Sequence, residues 1–139
     1  MILVFGRSGQ LAQVLANRPD VTALGRDSVD LAADPDAAGR AIDRLRPQAV
    51  INAAAYTAVD RAEAEPDSAR RINADAPAAM ARACAGLGIP LVHVSTDYVF
   101  DGSGTAPWRP DDPTAPLNVY GATKLAGEAA VRAAGGTHA

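Results

Sequence analysis

The chain has 139 residues, 48% of them hydrophobic and 21% charged, the size and balance of one globular domain. That balance excludes a disordered or collagen-like chain, and a single cysteine, Cys84, excludes an internal disulfide and fits a reducing, cytoplasmic home. A net charge of −3 gives no general electrostatic reason to seek nucleic acid or an anionic membrane, and no apolar run approaches the roughly 20 residues of a membrane span.

Residues 1–5 form a continuous apolar run that stops at Gly6. No basic segment precedes it, so it reads as a strand buried on both faces and not as a signal peptide. Gly6-Arg7-Ser8-Gly9 follows, then Leu11, Val14 and Leu15 at helical spacing. A second apolar run, 21–24, ends at Gly25. Asp34-Pro35 predicts a helix start, with Asp34 as N-cap and Pro35 in the first position, and the helix runs to about Arg46, before Pro47. Residues 49–52 form the next strand. Pro66 opens a helical stretch that ends near Gly86 and Gly88, and 89–95 is again strand-like. A loop rich in Gly, Pro and Asp covers about 101–116. The last helix runs from about Asn118 to Ala134, where Gly135-Gly136 stops it.

This alternation predicts an α/β fold, a Rossmann-like, doubly wound parallel sheet in a three-layer α/β/α arrangement. Residues 1–5 should lie at its centre, 21–24 on one side, and 49–52 and 89–95 on the other. The chain ends just after a helix, where an α/β chain returns to a strand, so it reads as the front half of something longer.

Four segments carry chemistry. Gly6 to Ala12 joins a strand to a helix in a G-x-x-G-x-x-A pattern, one residue wider than the usual dinucleotide fingerprint. Glycines there let the backbone approach a pyrophosphate at the helix N-terminus. Gly25-Arg26-Asp27 closes the second strand; Arg26, with Arg7, suits a 2′-phosphate and so NADPH, while Asp27 leaves NADH open. Tyr120 and Lys124, four apart, share a helical face, and Lys124 is the only lysine in the chain. A cation beside a phenol stabilises the phenolate and brings it into acid–base range. Thr96, in Ser95-Thr96-Asp97-Tyr98, ends a strand where ligands of open α/β sheets bind, and its hydroxyl can donate to a carbonyl oxygen. The small side chains of Ala53, Ala54 and Ala55 would let a flat cofactor lie close. Cys84 reads as a helical core residue and His93 as structural. No metal-ligand cluster is visible.

Together these segments resemble the extended short-chain dehydrogenase/reductase superfamily, and within it the dTDP-4-dehydrorhamnose reductase family. The likeness rests on Gly6 to Leu11, on Val50 to Asp60 (Val-Ile-Asn-Ala-Ala-Ala-Tyr-Thr-Ala-Val-Asp), on Ser95 to Gly102, on Pro116 to Gly121 and on Thr123 to Glu128. It implies NADPH-dependent reduction of the 4-keto group of dTDP-4-dehydro-L-rhamnose. Tyr120 would be the general acid, Lys124 would tune it and hold the nicotinamide ribose, and Thr96 would complete the catalytic set. Gly6, Gly9, Gln10 and Leu11 would lie along the pyrophosphate, Asp30 and Leu31 near adenine, and Ala53, Ala54 and Ala55 along the cofactor cleft. Tyr98 would face the sugar beside Thr96 and Tyr120. Tyr98 stands where related dehydratases carry an acid, which favours ketone reduction. The resemblance further implies one NAD(P)-binding domain over 1–139 without the family's C-terminal substrate domain, a homodimer in the full-length family, and magnesium with no ligands identified in this sequence. The competing expectation is a non-catalytic NAD(P)- or nucleotide-sugar-binding protein, similar to a methionine adenosyltransferase regulatory subunit, or an inert truncated product.

Overall fold

The N-terminal apolar run forms β1 (Ile2–Phe5), whose Leu3, Val4 and Phe5 are almost wholly removed from solvent. In the computed structural model, which describes residues 1–139, β1 pairs in parallel with β2 (Val21–Leu24) on one side and with β3 (Ala49–Asn52) on the other. β3 then pairs in parallel with β4 (Leu91–His93), giving a four-stranded sheet in the order β2-β1-β3-β4. This is the predicted α/β topology. The register sets Phe5 opposite both Leu24 and Asn52, so the C-terminal ends of three strands finish level.

Side-chain alternation divides the sheet into two unlike faces. Leu3, Phe5, Val50 and Leu91 point into the main core. There they meet α2 (Ala37–Leu45), α5 (Ala76–Leu87) and α6 (Val119–Ala134) through Ala38, Ile42, Met80, Cys84 and Val131. Cys84 is buried as expected, and burial pushes its thiol up to about 11. Val4, Ile51 and Val92 point the other way, where α1 (Gln10–Ala16) packs on β1 and β2 and buries Ala12. Val92 on that face stays 44% exposed, so the two helical layers are unequal.

Several elements differ from the sequence expectations. The second helix starts at Ala37 and not at Asp34, because the first bonds run from i+3 to i, Ala37 N–H to Asp34 O at 3.2 Å and Ala38 N–H to Pro35 O at 3.4 Å, so that residues 35–36 form a turn leading into it. Its end at Arg46 is a left-handed residue, φ 47°. A short helix, α3 (Val59–Ala64), precedes Pro66. The stretch from Pro66 is α4 (Pro66–Arg70), a π-helical turn (Arg71–Asp75) and then α5. The fourth strand covers only Leu91–His93 of the expected 89–95. Residues 137–139 already pair in parallel with the free edge of β4, with Leu91 N–H to Thr137 O at 3.0 Å and His93 N–H to Ala139 O at 2.8 Å. The chain therefore does return to the sheet after α6.

Candidate functional site

A cleft of about 1010 Å³ opens at the C-terminal ends of β1, β2 and β3. Brought together on its walls are Gly6, Arg7 and Gly9 from the first loop, Arg26, Asp30 and Leu31 from the segment after β2, and Ala53, Ala54 and Ala55 after β3. Tyr56, Arg61 and Glu65 close its far side. Gln10 and Leu11 sit on the exposed first turn of α1 and do not line it.

The glycines of the loop do different work. Gly6 has φ +107°, and a Cβ there would press on the Ala53 carbonyl and the Ala54 nitrogen at 3.2 Å, so only glycine lets the loop touch the β3 wall. A Cβ on Gly9, the α1 N-cap, would meet nothing within 4 Å. A loop held against one wall and clear above its second glycine fits a bulky anionic group, and the cleft has the volume for a dinucleotide.

Charge at the mouth is already paired. Arg7 meets Asp27 at 2.9 Å, and Arg26 meets Asp30 at 3.3 Å. Asp30 also accepts the Ala32 and Ala33 N–H groups, and these bonds, that of Ala33 foremost, hold its carboxyl below the usual range. Opposite, the Tyr56 hydroxyl donates to Glu65 at 2.6 Å, and Arg61 holds the second Glu65 oxygen at 2.9 Å. The phenol is raised and the carboxyl lowered, each chiefly by that shared hydrogen bond.

Thr96, Tyr98, Tyr120 and Lys124 gather along α6, outside the lining of this cleft. The Thr96 hydroxyl accepts the Tyr98 N–H at 3.2 Å and caps a single 3-10 turn (Asp97–Val99). Tyr98 and Tyr120 meet edge to face, ring centres 5.5 Å apart. Asn118 caps α6 by accepting the Gly121 N–H at 2.7 Å, which fixes where Tyr120 starts the helix. Lys124 is 2% exposed, and its ammonium donates to the Val94 carbonyl at 2.5 Å. Burial lowers it to about 8, against an opposing pull from Glu128. Glu128 itself is engaged by Ser95 and Arg132.

Asn73, which sequence reasoning passed over, ties α6 to the cleft. In the π-helical turn its amide donates to Tyr56 O and to Thr123 Oγ1, both at 3.1 Å, while its oxygen accepts the Tyr56 N–H at 2.8 Å. The only sequence signal was an asparagine inside a helical run. No group of three or more His, Cys, Asp or Glu side chains is placed to hold a metal ion, and no helix is long and apolar enough to cross a membrane.

Known proteins share this chain's sequence pattern and fold over nearly its whole length. The chain is 46% identical over 138 residues to a dTDP-4-dehydrorhamnose reductase of Shigella flexneri, covering 94% of this chain and 46% of that protein. The crystal structure of a dTDP-4-dehydrorhamnose reductase from Clostridium acetobutylicum superposes with a TM-score of 0.90 at 36% identity, over 99% of this chain and 50% of the other. One from Bacillus anthracis, in complex with NADP, gives 0.86 at 34% identity, again over 99% and 50%. The chain thus spans about half the length of the relatives it matches. The model of the RmlD substrate binding domain family matches residues 1–139, so the chain belongs to that family.

Proposed function

We propose that this chain is the NAD(P)-binding part of a cytoplasmic reductase that converts the 4-keto group of dTDP-4-dehydro-L-rhamnose to the alcohol of dTDP-L-rhamnose. The observation that carries the reading is the cleft in which the Gly6 loop faces Ala53 to Ala55 at the ends of parallel strands. Gly6 and Gly9 take the pyrophosphate at the cleft wall, and Gln10 and Leu11, outside the lining, offer it the backbone N–H groups of the first turn of α1. Asp30 and Leu31 take the adenosine end, and Arg7 and Arg26 leave their carboxylates for a 2′-phosphate. NADPH, when bound, supplies the hydride; NADH is the weaker alternative. Residues 1–139 act as one domain, and a homodimer of the whole enzyme fits the reading.

Tyr120 gives its phenolic proton to the carbonyl oxygen of the sugar. Lys124, fixed by Val94 O, stands on the helical face it shares with Tyr120 and holds a ribose hydroxyl. Thr96 donates to the same carbonyl oxygen, and Tyr98 faces the sugar ring. Calorimetry with NADPH tests the cofactor part: binding is expected, and none at millimolar cofactor refutes it. In a full-length enzyme carrying this sequence, Tyr120→Phe should lower kcat by about 10²–10⁴ with little change in NADPH affinity. The 139 residues alone should show no appreciable turnover of the sugar.

A further inference from the structure

β3 and β4 end side by side, with Asn52 in register with His93. The Asn52 side chain is fixed at both ends. Its oxygen accepts the Ala54 N–H at 3.1 Å, which leaves its amide nitrogen to face His93 Nδ1 at 3.0 Å. An amide nitrogen can only donate, so Nδ1 must accept. The imidazole is therefore neutral, with its proton on Nε2. Nε2 is buried and has no hydrogen-bond partner; it points at α6 beside Gly127. Lys124 is the charged group that bears on the ring from α6, and burial first, then that charge, hold the imidazole down at about 4.

We propose that His93 is a positioning residue of the cofactor cleft. Its Nδ1 fixes the Asn52 carboxamide, which in turn holds the Ala54 N–H and so the wall against which the Gly6 loop rests. The inference rests on the dinucleotide reading above and assigns that site a support on the neighbouring strand, outside its lining. Losing the acceptor frees the Asn52 amide to rotate, and Ala54 N–H then loses its fixed partner. Lys124 is not part of this chain of bonds; its ammonium meets Val94 O instead.

The test compares wild type, His93→Leu and His93→Asn of this chain. Asparagine offers an oxygen where Nδ1 lies; leucine fills space and accepts nothing. His93→Leu should speed exchange of the Ala54 amide and weaken NADPH binding about 10-fold, and His93→Asn should restore both to within about 3-fold. Long-range proton–nitrogen spectra of wild type should show the Nε2-protonated tautomer at pH 7. Unchanged Ala54 exchange in His93→Leu, or wild-type NADPH binding that this variant does not weaken, overturns the inference and leaves the functional reading standing. Absence of NADPH binding by wild type refutes the functional reading instead, while the exchange pattern still decides whether His93 holds the wall. If His93→Leu fails to fold, the tautomer decides: an Nδ1-protonated or charged ring at pH 7 overturns the proposal.

Discussion

At the mouth of the cleft Arg7 and Asp27 are 61% and 63% exposed, and Arg26 and Asp30 are 77% and 40% exposed. Under α6, Lys124 is 2% exposed and meets a backbone carbonyl. Water screens the first group, so its pairs are weak and can exchange partners when a ligand arrives. Lys124 has lost its water and has no carboxylate in direct contact, so its place is set by packing. The mouth can adapt to an anion; the seam under α6 holds one geometry and spends stability to do so.

The seam is most sharply broken where backbone meets backbone. An added Cβ on Gly127 would lie far inside contact distance of the Asn73 carbonyl oxygen, and one on Gly121 would meet the Tyr98 carbonyl in the same way. Neither obstacle is a flexible side chain. Gly127→Ala should therefore destabilise by about 3 kcal/mol or more, outweighing the roughly 1 kcal/mol that alanine gains in a helix. Gly9→Ala, where the new methyl meets nothing, should stay within about 0.5 kcal/mol of wild type. Urea unfolding of both variants measures the contrast. A Gly127→Ala protein as stable as Gly9→Ala would mean that α6 moves freely against the π-helical turn.

Lys124 gives the next largest effect. Its folded value of about 8 lies below the ordinary 10.5. Between those values the unfolded chain binds the proton and the folded chain releases it, so stability rises with pH across that window. The penalty is fully present below about pH 8 and amounts to about 3 kcal/mol. Lys124→Met removes it but leaves Val94 O without a donor, at about 1 kcal/mol. The variant should thus be about 2 kcal/mol more stable at pH 7, and its advantage should vanish by about pH 10.5. A variant less stable at pH 7 would show that the ammonium stabilises the fold.

The strands and the glycine loop were legible because apolar runs cut by glycine leave few alternatives. The start of α6 was legible through Asn118. α3 was not, since six residues around Asp60 and Glu63 carry no clear apolar stripe. The π-helical turn was not, because it depends on Asn73 reaching Tyr56 and Thr123, 17 and 50 residues away. The spacing of Tyr120 and Lys124 gave their shared face but not the depth of the lysine, which follows from Gly121 and Gly127 letting α6 sink onto its neighbours. The arginines were visible as charges. Their partners were not, because Arg7 finds Asp27 only when β1 and β2 end level.

The smallest stability effect belongs to the mouth. Arg26→Asp removes an exposed pair and sets a carboxylate near Asp27 and Asp30, yet Asp30 keeps its bonds from Ala32 and Ala33 N–H. Stability should change by no more than about 0.5 kcal/mol. Selectivity should change far more. The substitution takes a cation from the 2′-phosphate of NADPH and offers an acceptor to the free 2′-hydroxyl of NADH. Wild type should bind NADPH at least as well as NADH, and Arg26→Asp should reverse that order, with NADPH weakened about 10-fold, the scale of one lost charge-assisted bond. Paired titrations with the two cofactors at fixed ionic strength read the ratio. Equal affinities before and after the change would mean that Arg7 and Arg26 are solvated surface charges bound to their own carboxylates, and that selectivity at this mouth is set by other residues.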